Sequence, residues 1–182
     1  LMEGISHEAC SLAGHMKLSK LIVLYDDNDI SIDGPTSLSS SDDTRKRFES
    51  YGWAVQRVDG HDTELIDAAI ARAQGYEKPS LICCKTYIGY GAPTKQGKAS
   101  SHGSPLGEKE IAGVREKLGW THAPFEIPDH ILQMWRSVSD RGKVEHKKWT
   151  KSLADNRLKG EFLKTMDSDV GNQIFPHILD LK

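Results

Sequence analysis

The stretch Tyr25-Asp26-Asp27-Asn28-Asp29-Ile30-Ser31-Ile32-Asp33-Gly34, directly after Leu21-Ile22-Val23-Leu24, decides how this chain is read. Four apolar residues followed by a cluster of oxygen-bearing side chains describe a buried strand that delivers polar groups at its carboxyl end. That edge of the sheet is where α/β proteins place their ligands. Oxygen donors on a rigid strand end suit a hard cation such as Mg²⁺, which keeps few protein ligands and binds phosphate oxygens with the rest. The same residue types also make an ordinary strand-ending turn, so the flanking segments have to decide.

Outward from this stretch, helical and strand patterns alternate. Ile5, Ala9, Leu12 and Met16 predict a helix over 3–18 with one apolar stripe. Residues 21–25 read as a short buried strand and 29–41 as a Ser/Gly/Pro-rich loop. Residues 42–51 read as a short helix capped by Ser41 or Asp42 and ended by Gly52, and 53–58 as a strand. A helix over 63–74 turns Leu65, Ile66, Ala69, Ile70 and Ala73 inward. The run Leu81-Ile82-Cys83-Cys84 within 80–86 suits a strand covered on both faces. The alternation predicts an α/β fold of three layers, with a mostly parallel sheet and helices on both faces. Residues 89–107 form a long Gly/Ser/Lys-rich loop, a length that is usually functional or disordered. A helix over 108–118 and an extended stretch over 120–128 follow, and Pro128 opens a helix to about Val138. In 140–166 eight Lys/Arg stand against four Asp/Glu, the pattern of a solvated helical surface.

Size and composition set limits. The 182 residues make one ordinary domain that can bury a core. A hydrophobic content of 37% and a mean hydropathy of −0.51 are low, as an exposed linker or an uncovered partner surface would make them. The net charge of −2 predicts no nucleic-acid partner and no acidic-membrane partner. No apolar run approaches the roughly eighteen residues of a membrane span. The three cysteines are Cys10 and the vicinal Cys83 and Cys84 within an apolar run. They read as reduced thiols, not as a disulfide framework or zinc site, and predict a cytoplasmic setting, with an organellar leader left open.

Three further stretches bear on the family. The chain opens Leu1-Met2-Glu3-Gly4-Ile5-Ser6-His7-Glu8, and beyond the third strand pattern stand Ile88-Gly89-Tyr90-Gly91-Ala92-Pro93 and Ser101-His102-Gly103-Ser104-Pro105-Leu106-Gly107. Together with Asp26-Asp27-Asn28 they closely resemble the diphosphate-binding domain of transketolases over residues 1 to about 138. The resemblance implies a thiamine diphosphate-binding fold, with thiamine diphosphate and Mg²⁺ (or Ca²⁺) as cofactors. In that family Gly-Asp-Gly-Cys precedes Leu-Met-Glu-Gly. A first residue of Leu inside the motif is read as a fragment of a longer protein, incomplete at its N-terminus. Residues 139–182 are expected to be a charged helical linker toward an absent pyrimidine-binding domain.

The resemblance also implies site residues. Asn28 is the expected metal ligand and a contact to the cofactor diphosphate; its amide oxygen can bind a cation while its nitrogen donates. The backbone carbonyl of Ile30 is the second expected ligand, which any side chain would permit. The third, the Asp of Gly-Asp-Gly, is not in the sequence. Ile32 and Ile88 are expected to form an apolar wall at the thiazolium, whereas by pattern alone each reads as a plain core isoleucine. His102, between Ser101 and Gly103, is poorly suited to core packing; it is the expected catalytic residue, touching both cofactor and sugar phosphate. Glu3 and Glu8 are expected as acids at a homodimer contact, forming a proton relay between the two sites, with a solvated helix face as the plain alternative. His7, His15, His61, His122, His130, His146 and His177 read as surface or structural, His61 as a turn cap.

The implied reaction moves a two-carbon ketol unit from a ketose phosphate to an aldose phosphate, with the isolated segment expected to be inactive. Two rivals are a dihydroxyacetone synthase-like thiamine enzyme and a truncated, non-catalytic paralogue that acts as a binding partner.

Overall fold

A computed structural model describes residue 1 and residues 4–167; Glu3 and His177 lie outside the described residues. The chain divides into two compact units, Leu1–Thr121 and His122–Lys182.

The first unit is built on strands β1 (Ile22–Asp27), β4 (Ala54–Asp59) and β5 (Ser80–Lys85). α1 (Ser6–His15) precedes β1, and between the strands run the two-residue strands β2 (Ile30–Ser31) and β3 (Gly34–Pro35), α2 (Thr44–Ser50) and α3 (Thr63–Gln74). The sheet order is β1-β5-β4 and every pairing is parallel, with Asp27 and Asp59 both level with Lys85. β5, last in sequence, is therefore central, which is why Ser80 to Cys84 are all buried.

Alternate residues of β5 feed opposite cores, as a pleated strand requires. Leu81 and Cys83 pack with Ala13 of α1, Phe48 of α2 and Trp53. Ile82 and Cys84 pack with Val58 and with Ala69 and Ala73 of α3. Helices thus cover both faces, and the three-layer α/β expectation holds. On the first face Phe48 meets Trp53 edge-on with ring centroids 5.0 Å apart, and the Trp53 indole N–H donates to the Cys10 carbonyl at 2.8 Å. Gly14 lets α1 approach α2, since a Cβ there would lie 1.9 Å from the Tyr51 carbonyl oxygen.

Several local expectations are revised. α1 starts at Ser6, and its stripe is not its buried face: Ile5, Leu12 and Met16 are 80%, 57% and 59% exposed, while Ala13 and Gly14 are buried. Helical spacing reveals a stripe but not what covers it. α2 is capped by Asp43, not Ser41 or Asp42; its carboxylate accepts from the N–H groups of Arg45 and Lys46, which holds it below the usual carboxylate range. α3 has the predicted ends, but Leu65 is exposed. Residues 29–41 hold the β2–β3 hairpin and a 3₁₀ turn at Thr36–Leu38. β1 continues through Asp26 and Asp27.

α4 (Glu108–Lys117) closes the described helices of the first unit. The second unit holds α5 (Asp129–Ala154) and α6 (Lys159–Met166), with Trp149 and Phe162 edge-on at 6.5 Å. α5 does not stop at Val138. Gly142 in its interior lowers helix propensity by about 1 kcal/mol, but the pairs Asp140–Lys143 at 3.1 Å and Glu145–Lys148 at 2.8 Å flank it at helical spacing. No residue of α5 is buried, in keeping with the charged surface read from the sequence.

Candidate functional site

The carboxyl edge of the parallel sheet gathers two of the four stretches singled out above, the one through Asn28 and the one through Ile88. β1 ends in Asp26-Asp27 and leads through Asn28 and Asp29 into β2. The Asn28 side-chain oxygen accepts the Ile30 N–H at 3.0 Å, and its nitrogen donates to Asp26 at 3.4 Å. This Asx turn fixes which end of the amide is oxygen. Asp29 takes a left-handed conformation, φ +61°. Its carboxylate pairs with Lys85 at the end of β5, and the Thr86 hydroxyl donates to Asp26. The Thr86 N–H reaches the Asp27 carbonyl at 3.3 Å. The turn bearing Asn28 and Ile30 is therefore tied to the strand end that leads to Ile88.

Ile88 is half-buried, and its carbonyl accepts the Gly97 N–H at 2.8 Å. The loop over 89–107 has internal hydrogen-bonded structure. Its 3₁₀ turn spans Ala99–Ser101 and ends at His102, whose N–H donates to the Ala99 carbonyl at 2.8 Å. The Ser101 hydroxyl donates to the Lys95 carbonyl at 2.5 Å. Gly89 has φ +62°, and a Cβ on it would lie 2.8 Å from Ser101 Oγ. The chain neighbours of Ile88 and His102 are thus packed on one another. From α4, the buried Glu110 accepts the Thr94 N–H at 3.0 Å and the Thr94 hydroxyl at 2.6 Å. The Thr94 hydroxyl, then its N–H, hold the Glu110 carboxyl below its ordinary range. Nothing in the local sequence marked this glutamate, because its partner lies in a loop without periodicity.

The remaining expected residues are placed as follows. Ile32 sits in the β2–β3 turn and is 70% exposed, so it is not a core isoleucine. His102 is exposed and Glu8 is exposed on α1. His61 does not cap a turn: its ring stacks on Tyr90.

Beside the strand end lies an open cavity of about 300 Å³ lined by Tyr25, Asp27, Asp29, Asp42, Asp43 and Cys83 among others. Burial, then the Asp27 charge, raise the Tyr25 phenol, and burial pushes the Cys83 thiol up to about 11. Among the described residues no three His, Cys, Asp or Glu side chains gather as a metal cage. The donor chemistry at the turn still fits a cation held largely by phosphate: Asn28 Oδ1 keeps a second lone pair and the Ile30 carbonyl stands beside it in the chain.

The family model described as the transketolase thiamine diphosphate binding domain matches residues 1–171. The chain belongs to the transketolase family. A transketolase from Sinorhizobium medicae is 48% identical over 176 residues, covering 94% of this chain and 25% of that protein. The crystal structure of the Campylobacter jejuni transketolase matches with a TM-score of 0.84 at 39% identity, over 94% of this chain and 27% of that one. The Pichia stipitis transketolase in complex with sedoheptulose-7-phosphate matches with a TM-score of 0.78 at 36% identity, over 89% of this chain and 24% of that one. This chain spans about a quarter of the length of the transketolases it matches. The fold is that of the family's thiamine diphosphate-binding domain.

Proposed function

We propose that these residues form the diphosphate-binding half of a transketolase active site. The complete polypeptide would move a two-carbon ketol unit from a ketose phosphate to an aldose phosphate. The observation that carries this reading is the Asn28–Ile30 turn, braced to β5 through Asp29–Lys85 and Asp26–Thr86, in a chain of this family.

Each residue then has a task. The Asn28 amide oxygen and the Ile30 carbonyl would hold Mg²⁺ (or Ca²⁺), and the Asn28 nitrogen would donate to a diphosphate oxygen. Ile32 and Ile88 exclude water from the thiazolium, lowering the local dielectric. Bound thiamine diphosphate supplies an electron sink for the cleaved carbon–carbon bond. His102 would donate to a cofactor phosphate oxygen or a sugar oxygen and would give a proton to, or take one from, the sugar oxygen it touches. The sugar-phosphate complex of the Pichia stipitis relative supports phosphorylated sugars as substrates. Glu3 and Glu8 are assigned to a homodimer contact, residues 1–138 to the diphosphate domain, and 139–182 to a charged connection toward a pyrimidine-binding domain. A cytoplasmic location fits the free thiols.

The test uses the complete polypeptide. His102→Ala is expected to lower ketol transfer about a hundredfold, and Asn28→Ala to abolish Mg²⁺-dependent retention of thiamine diphosphate through gel filtration. Wild-type behaviour in both variants would refute the assignment.

A further inference from the structure

We propose that His61 is a positioning residue that fixes the backbone on either side of Ile88. This rests on the reading that Ile88 faces the cofactor. Gly60 extends the parallel ladder by donating to the Lys85 carbonyl at 2.7 Å, which carries the chain after β4 alongside the chain after β5. His61 follows and reaches across. Its Nε2 accepts the Tyr87 N–H at 3.0 Å, immediately before Ile88. The nitrogen that faces the Tyr87 N–H therefore serves as an acceptor, and the other ring nitrogen, Nδ1, points away from that bond.

The same ring grips the other side of Ile88. It stacks on Tyr90 with centroids 3.8 Å apart and planes 18° apart, and lies parallel to Tyr87 at 6.0 Å. Lys117 Nζ lies 4.9 Å from the Tyr90 centroid, and its hydrogen bond to Gln96 at 3.3 Å ties α4 to the loop. Gln96 in turn accepts the Gly91 N–H at 2.9 Å. Tyr87 and Tyr90 are 52% and 40% exposed, so packing alone does not hold them. One imidazole therefore supplies an acceptor before Ile88 and a stacking face after it. The device is local to the strand ends, and the core packing of β4 does not depend on it.

Two substitutions separate the functions of the ring. His61→Gln keeps an acceptor within reach of the Tyr87 N–H and discards the ring; His61→Phe keeps the ring and discards the acceptor. In the complete polypeptide without cofactor, amide exchange over residues 87–89 is expected to rise about fivefold to tenfold in His61→Phe and to stay within about twofold in His61→Gln. The thiamine diphosphate concentration at half-saturation, read by calorimetric titration, is expected to follow the same order, with kcat at saturating cofactor changed less than about threefold.

Equal exchange in wild type and His61→Phe overturns the proposal. So does an equal loss in both variants, which is what a merely structural histidine would give. Faster exchange with unchanged cofactor affinity removes Ile88 from the cofactor, and the reading beneath the proposal fails instead. Should His61→Phe not fold, Tyr90→Leu removes the stacking partner and is expected to speed exchange over 89–91; no change there is equally fatal.

Discussion

Gly89 and Ser101 approach so closely that a single methyl group on Gly89 would lie 2.8 Å from the Ser101 hydroxyl oxygen. Ile88 and His102 are their chain neighbours, so this contact sets the spacing between two residues assigned to the cofactor. Gly89→Ala adds the methyl and also forces alanine to φ +62°, which costs about 1–2 kcal/mol. We expect urea unfolding to show a loss of that size, together with weaker thiamine diphosphate binding in the complete polypeptide. Full stability in Gly89→Ala would mean that the loop has room to shift.

The Glu110–Thr94 bonds make the same loop sensitive to acid. The folded carboxyl lies below its unfolded value of about 4.3. Its contribution is therefore fully present above that value and is lost as pH falls through the lowered folded one. Limited proteolysis over 94–107 is expected to accelerate as pH drops below about 4, and Glu110→Gln is expected to cleave faster at pH 7 and to lose the pH dependence. A pH-independent wild type would show that the loop is held elsewhere.

Asp29 stands between Asn28 and Ile30 in a conformation that favours glycine. Its pairing with Lys85 offsets that strain only modestly, because the carboxylate is 64% exposed. Asp29→Ala is expected to destabilise by about 1 kcal/mol, and Asp29→Gly to be near neutral, since it regains left-handed freedom while losing the pair. Denaturant midpoints of the two variants decide this; identical midpoints would show that backbone strain is not the issue.

Cys83 combines complete burial with a thiol pushed up to about 11, so at pH 8 only about a thousandth of it is thiolate. Cys10 is half-exposed at the α1–Trp53 contact. Iodoacetamide at pH 8 is expected to label Cys10 in the native protein and to reach Cys83 only after unfolding. Early labelling of Cys83, mapped by mass spectrometry, would show that α1 or α2 opens readily.

The helices and strands that lie against the central sheet were legible from sequence because their patterns are dense. Ala69 and Ala73 recur at helical spacing, and Leu81 to Cys84 form a short apolar run that suits a doubly covered strand. The β2–β3 hairpin was not legible, because a two-residue strand is shorter than any period. The edge position of Asn28 followed from its place after an apolar run, whereas its bracing came from Lys85 and Thr86, nearly sixty residues away. Glu110 and Gln96 went unnoticed, and from sequence His61 reads only as a turn cap, for the same reason. Each acts through a partner that the fold, not the local sequence, brings near.

The uncovered stripe of α1 bears on how stability varies with temperature. Ile5, Leu12 and Met16 are wetted in the native state, so unfolding gives water little new there to order. Their share of the heat-capacity increment, about 12–15 cal/mol/K per residue in well-covered domains, is largely missing. On this account at most about 40 cal/mol/K leaves the increment of a 182-residue chain, so the curvature of its free-energy curve is trimmed only slightly.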